Sequence, residues 1–383
     1  MISFSFGNDR NTFYYRRHCT CTKGALMPKN PAASLDASKM FDTLYRFPEQ
    51  VKEAVSIGEN APLWRQQSTS NRYAFFGLGG SAIGADLLRS YAVNTVGADH
   101  LNISVHRGYS VPHWMDSDTN VVCSSYSGET EETLAAFDDV RKKTMRVVCI
   151  TTGGQLGKRA ITYGFPIINI PPGYQPRCAI AYSFFPLLTI MQRYGAMDTR
   201  AGRMNAKGIR EILAHTEEAR DLYASSAAKN PALQIAKKLH GSIPVIYSAN
   251  ERMDVVNLRW RGQIQENAKQ LAFGNLLPEM NHNEINGWQH PKGKTKHFSV
   301  VMLRDPEDNR RVQIRFDALK DIIKANVAEV ISPEPKGATL LGRMFSQIYL
   351  GDWVSWHLAV LNKVDPTPVP VIQSLKAKLA KAR

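Results

Sequence analysis

Between Arg72 and about Arg193 the chain alternates short apolar runs with helix-patterned segments, and this alternation limits its folds more than any other feature. YAFFG, NISVHRG, NVVCSSY, RVVCITT and FPIINIP have the length and composition of strands, whereas SAIGADLLRSYAV, TEETLAAFDDVRKK and AIAYSFFPLLTIMQRYG carry helical spacing. Short runs this apolar are buried on both faces, so the pattern predicts a parallel sheet covered by helices on both sides. A second alternation follows: IPVIYS, the helix DVVNLRWRGQIQENAKQLA, HFSVVMLRD, the helix VQIRFDALKDIIKAN, AEVIS and the long helix ATLLGRMFSQIYLGDWVSWHLAVLNKV. The expected fold class is therefore α/β, with two domains of similar make-up and a C-terminal helix entered through the Pro-rich turn DPTPVP.

A length of 383 residues agrees with two domains rather than one. The expected layout is a disordered extension over residues 1–27, an N-terminal domain with its leading helix over 28–200, a polar helical connector over 201–240, and a C-terminal domain with its terminal helix over 241–383. The extension is Arg-rich but lacks the continuous apolar core of a secretory signal, and Met27 is a second candidate start. The longest apolar stretch, Cys178 to Met191, is interrupted by Ser, Pro and Thr and is shorter than the ~18–20 residues that cross a bilayer. A soluble protein with no membrane partner is expected. Five cysteines, odd in number and mostly inside strand-like runs, read as reduced thiols in a cytoplasmic protein; the Cys19 and Cys21 pair has no second pair to complete a metal site. The net charge of +14 is half terminal, and no basic run with interleaved aromatics accompanies it. A small anionic substrate, rather than nucleic acid, is the expected partner.

The turns that follow two of the strands carry the chemistry. YAFF runs into GLGGSAIGADLL, where Gly77, Gly79, Gly80 and Ser81 precede a helix. Such a turn lets backbone N–H groups approach an anion at a helix N-terminus. Gly77, Gly79 and Ala82 also fit a dinucleotide fingerprint, but the next strand ends in His106-Arg107, where an NAD site wants an acidic residue. Arg107 leaves an NADP site formally open. The second turn, NVVCSSYSGETEETLAAF, gathers Ser124, Ser125, Ser127 and Thr130 around Gly128 at the start of a helix. A simple helix cap needs only one of these hydroxyls, and no P-loop lysine is present, so the pattern points to a phosphate monoester.

With these two turns, the blocks ITTGGQLG, PPGYQPRCAIAYSFFPLL, RWRGQIQENAK and PEMNHNEINGW follow in order. Together they resemble the bifunctional phosphoglucose/phosphomannose isomerases, which are built from two sugar-isomerase (SIS) domains. The likeness runs from about Leu35 to the C-terminus. It implies that Gly79, Gly80 and Ser81 form a substrate loop, that Ser125, Ser127 and Thr130 bind phosphate, and that Arg177 lies beside the reacting carbons. It further implies Glu284 as catalytic base, Lys376 as a late lysine reaching substrate, and a ring-opening histidine donated by a neighbouring subunit. His297 is the choice for that histidine by spacing, with His290 as the alternative. The family resembled often has Asn where this chain has Glu129. A homodimer with a shared active site, hexose 6-phosphates as substrates and no cofactor are what the likeness implies.

The residue types suit the reaction. Aldose–ketose isomerisation moves a proton between C2 and C1 through an enediolate, which asks for a carboxylate base, a group that opens the ring and a positive charge at the developing oxyanion. His282 stands two residues from Glu284 and serves equally to orient that loop or to move protons. His282, His290, His297 and Glu284 do not have the spacing of a helical zinc pair, and no metal is expected. The competing function is a non-catalytic sugar-phosphate-binding regulator, which has no need of a base and a guanidinium together. An NADP oxidoreductase is a weaker third reading.

Overall fold

The computed structural model describes residues 27–63 and 70–382, with two short antiparallel strands, β1 (Ser5–Phe6) and β2 (Phe13–Tyr14). Apart from these two strands, the expectation for the N-terminal extension, and that for Cys19 and Cys21, lie outside the described residues. The chain divides into two compact units: one contains Arg46–Glu217 and Gly337–Arg343, the other Pro28–Tyr45, Glu218–Lys336 and Met344–Arg383. Helices α1 (Met40–Tyr45) and α2 (Phe47–Asn60) fall on either side of the first division.

The first unit alternates β3 (Arg72–Phe76), α3 (Gly80–Val93), β4 (Asn102–His106), β5 (Asn120–Ser124), α4 (Glu131–Lys143), β6 (Val147–Thr151), α5 (Gly154–Tyr163), β7 (Ile167–Asn169) and α6 (Ile180–Arg193). All five strands are parallel, in the order β4-β3-β5-β6-β7. One face is filled by Phe76, Val121, Cys123, Cys149, Phe137 and Leu156, so α4 and α5 cover it. Helices α3 and α6 bury Leu87, Leu88, Phe184 and Phe185. From β3 the chain moves outward to β4 and then crosses to β5 on the other side, so β3 and β5 flank the reversal of strand order. Open parallel sheets bind ligands beyond the carboxyl ends of the strands at such a reversal. The two turns singled out in the sequence follow β3 and β5.

The polar helical stretch 206–240 resolves into α7 (Thr199–Ala224) and α8 (Pro231–Leu239). The break is chemical: Asn230 caps α8 by accepting from the N–H groups of Ala232 and Leu233, and Pro231 occupies the first turn, where its missing N–H costs nothing.

The second unit contains β8 (Ile243–Ala249), α9 (Asp254–Ala268), β9 (Phe273–Leu277), α10 (Glu284–Gly287), β10 (Phe298–Leu303), α11 (Arg310–Ile323), β11 (Glu329–Ile331) and, from its fifth residue, α12 (Leu340–Leu361). Its four strands are parallel in the order β11-β10-β8-β9. Tyr247, Met302, Phe316, Leu319 and Trp288 fill one face, and α9 packs on the other. Pro28–Tyr45 belongs here although it comes first in the chain. Phe41 stands edge-on to Trp353 of α12 at 5.4 Å between centroids, and Asp36 Oδ2 accepts from Trp356 Nε1 at 3.1 Å. A buried pair, Arg259 with Asp352 at 2.8 Å, joins α9 to α12, and Gln263 donates to the same carboxylate. The last helix, α13 (Pro370–Lys381), buries none of its residues. No helix among the described residues is long and apolar enough to cross a membrane.

Candidate functional site

At the carboxyl ends of β3 and β5 the first unit brings its predicted residues together. Ser125 is fully buried, and its Oγ lies 2.8 Å from Thr130 Oγ1 while accepting from Gly128 N–H at 3.1 Å. Ser127 is exposed and its Oγ accepts from Glu129 N–H at 3.2 Å. The loop is therefore a preformed bowl in which Ser125 shapes the backbone, while Ser127 and half-buried Thr130 carry the hydroxyls nearest solvent. Thr130 is also the residue before α4, so the partial positive charge of a helix N-terminus lies at the bowl. Gly128 has φ +72°, and a Cβ there would sit 2.0 Å from Gly153 O, so the loop after β6 supports the bowl from below.

Glu129, where the family resembled often has Asn, is turned away from the hydroxyls. Its Oε1 accepts from Gln155 N–H at 3.0 Å, in the first turn of α5. A carboxylate there is stabilised by the helix dipole.

Gly79, with φ +55°, and Gly80 bring the β3 turn into α3. Ser81 is nearly buried, and its Oγ accepts from Tyr126 N–H at 3.0 Å, which ties the first loop to the second. Gly80 faces the short 3-10 turn Pro176–Cys178, where an added Cβ would meet Pro176 O at 2.5 Å. Arg177 lies in that turn, 5% exposed, with Nη1 3.5 Å from Gln175 Oε1. The first unit thus assembles Gly79, Gly80, Ser81, Ser125, Ser127, Thr130 and the Arg177 turn at the carboxyl end of its sheet. Arg107, which left an NADP site open, is ion-paired with Asp86 of α3.

In the second unit Glu284 is half-buried, and both carboxylate oxygens are engaged. Tyr247 O–H donates to Oε1 and Asn275 Nδ2 donates to Oε2 at 2.7 Å. Tyr247 and Asn275 are register partners on β8 and β9, so their side chains leave the same face of the sheet. Trp288 Nε1 donates to Tyr247 Oη at 3.0 Å, extending the chain of bonds. Burial first, then the hydrogen bond to Glu284 and the charge of that carboxylate, push the Tyr247 phenol far above its ordinary range, so it remains a donor. Neither Tyr247 nor Asn275 is legible as a site residue in the sequence. Asn275 lies in the strand FGNLL, which has no β-branched residue and is absent from the predicted elements; only the strand pairing reveals it.

His297 is exposed on the 3-10 turn Lys294–His297, at the amino end of β10. His282 and His290 are exposed on either side of Glu284, and Lys376 is exposed on α13. No hydrogen bond joins any of these histidines, or Lys376, to Glu284 among the described residues. Nor do those residues contain a group of three His, Cys, Asp or Glu arranged to hold a metal.

Residues 228–379 match the bacterial phospho-glucose isomerase C-terminal SIS domain. The bifunctional phosphoglucose/phosphomannose isomerase of Caldicellulosiruptor bescii is 41% identical over 346 residues, 90% of this chain and 100% of that protein. The protein of the same name from Aquifex aeolicus is 33% identical over 80% of this chain and 90% of its own. Among solved structures, the C-terminal domain of glucosamine-fructose-6-phosphate aminotransferase from Francisella tularensis superposes with a TM-score of 0.66 at 13% identity, covering 86% of this chain and 98% of that one. That likeness carries the fold: two SIS-type domains, each a parallel sheet with helices on both faces. The sequence identity carries more, and this chain belongs to the bifunctional phosphoglucose/phosphomannose isomerase family.

Proposed function

We propose that this protein interconverts glucose 6-phosphate and mannose 6-phosphate with fructose 6-phosphate through an enediolate. The observation that carries the reading is the hydroxyl bowl of Ser125, Ser127 and Thr130 at the reversal of strand order, with the Arg177 turn tied to it. A monoester phosphate needs several donors and a helix N-terminus, and the loop after β5 offers both.

Glu284 is assigned as the base that takes the C2 proton of the aldose and returns it to C1. Tyr247 and Asn275 support the assignment by holding its carboxylate in one orientation. Arg177 stabilises the enediolate oxygen. His297, with His290 as the alternative, opens the ring from a neighbouring subunit of a homodimer, and Lys376 reaches the substrate. The two units act as the N- and C-terminal SIS domains, and the helices of residues 201–240 carry the chain from one to the other, in a cytoplasmic enzyme. Proton transfer by this route asks for no metal or organic cofactor.

The test is Glu284→Gln, assayed with each hexose phosphate while substrate binding is followed by calorimetry. Loss of a general base costs about 10²–10⁴ in rate. Both aldoses share the enediolate, so both activities fall together and binding persists. Near-normal turnover would remove Glu284 from its role. Binding by the wild-type protein without any turnover would make it a regulator instead.

A further inference from the structure

Tyr126 stands between Ser125 and Ser127, and no role follows for it from a phosphate cradle. Its bonds are unusual in their reach. Its N–H donates to Ser81 Oγ at 3.0 Å, in the loop after β3. Its carbonyl accepts from Thr152 N–H at 3.0 Å, in the loop after β6. Its hydroxyl donates to the Pro171 carbonyl at 2.8 Å and accepts from Tyr174 N–H at 2.8 Å, in the segment after β7. One residue of the β5 loop therefore bonds the loops that follow three other strands.

The last of these bonds matters most for Arg177. The segment Pro171-Pro172-Gly173-Tyr174-Gln175-Pro176 leads directly into its turn, and three of the six residues are prolines with no N–H to give. Such a segment has few ways to anchor its backbone, and the Tyr126 hydroxyl satisfies the acceptor at its start, on Pro171, and a donor at its middle, on Tyr174. Burial raises the phenol above its ordinary range, so it stays protonated and able to donate. The Tyr174 ring adds a packing contact to Tyr182 at 5.4 Å.

We infer that Tyr126 is a positioning residue whose hydroxyl sets the Arg177 turn at a fixed place relative to the phosphate bowl. This rests on the proposed roles of Arg177 and of the bowl. A substrate held by its phosphate then meets the guanidinium at one distance, and that distance decides how well the developing oxyanion is stabilised.

The test is Tyr126→Phe, which keeps the ring and removes both hydroxyl bonds. The expected result is a fall in kcat of about 10–100-fold with KM held within about threefold. The phosphate contacts are untouched, and a structural role alone would not divide the two constants this way. Amide exchange at Tyr174 should quicken, and in an Arg177→Ala background Tyr126→Phe should lower kcat no further. Wild-type kcat in Tyr126→Phe, or an equal loss in both backgrounds, would overturn the inference while leaving the role of Arg177 intact. An unchanged kcat in Arg177→Ala would overturn that role and the inference with it. If Tyr126→Phe does not fold, Tyr126→His, whose ring ends short of the Pro171 carbonyl, carries the same expectations.

Discussion

Gly80→Ala is the smallest change that should separate assembly of the first unit's site from stability of its fold. Gly80 has ordinary helical φ, so alanine is permitted by its backbone and favoured by helix propensity. The obstacle is across the loop. The new Cβ would stand 2.5 Å from Pro176 O, 2.6 Å from Pro176 C and 3.1 Å from Arg177 N, all backbone atoms without a side chain's freedom to turn away. Ordinary contact begins at 3.4 Å, so the Pro176–Cys178 turn must retreat by roughly 0.9 Å. Overpacking of this kind costs about 1–3 kcal/mol. Displacing a catalytic group by about 1 Å costs about 10²-fold in rate. The expected phenotype is thus a folded protein with a modestly lower melting temperature and a kcat reduced about 100-fold, read in a coupled assay of glucose 6-phosphate formation from fructose 6-phosphate. Gly157→Ala in α5 is the control, because its Cβ meets only Thr151 Cγ2 at 3.7 Å. It should match wild type in kcat and gain up to about 1 kcal/mol of stability. If Gly80→Ala kept kcat within about twofold of wild type, the argument that this contact places Arg177 would be wrong.

Ser127→Ala and Thr130→Ala should each weaken substrate binding by about 1–3 kcal/mol, seen as a raised KM with little change in kcat, since a hydroxyl bonded to a charged group contributes equally before and during reaction. An unchanged KM in both would move the phosphate elsewhere. Glu129→Asn should leave KM within about twofold and lower stability by about 0.5–1 kcal/mol through loss of the α5 contact; a large gain in phosphate affinity would show that the carboxylate does reach the ligand. Acid stability should depend on His357, which is buried against the Tyr223 carbonyl and whose imidazole burial pushes down to about 4. A folded pKa below the unfolded one means that stability is full above about 6.5 and is lost as pH falls toward 4. Asp308, pushed up to about 6 by burial, titrates in an overlapping range with the opposite sign, so the wild-type curve alone is ambiguous. The comparison that decides is between wild type and His357→Gln: denaturation should show wild type losing about 2–3 kcal/mol more than the variant between pH 7 and pH 4.5. Equal losses would remove His357 as the acid-sensitive group.

What could be seen in advance follows from which interactions are local. The strands β3, β5, β6, β8 and β10 are buried apolar runs, and their character is written in consecutive residues. Among the described residues β9 is an edge strand that pairs with β8 alone, and it contains Gly274 and Asn275, so no alternation or branching marks it. α5 begins at Gly153 and Gly154, both with positive φ, where two successive glycines look like a loop. Its existence depends on packing Leu156 and Ala160 onto the sheet, which is a tertiary fact.

The same division runs through the site. The hydroxyls of Ser125, Ser127 and Thr130 lie within six residues, so their shared purpose is visible as a motif; that Ser125 is the organiser and Ser127 the exposed donor depends on burial, which spacing does not contain. Glu129 illustrates the cost of reading charge without direction. A carboxylate facing a phosphate would repel it, yet a side chain that reaches the N-terminus of α5 places its charge where a helix stabilises it. Tyr126 and Tyr247 go further, because each acts through partners far along the chain: Tyr126 through Pro171 and Tyr174, Tyr247 through Glu284 and Trp288. Phenols in strand-like or loop sequence read as core or as surface, and only folded geometry shows the hydroxyl bridging two segments. A family motif therefore names the groups proposed to meet substrate, while the groups that hold them in place have to be found by following hydrogen bonds outward from each motif.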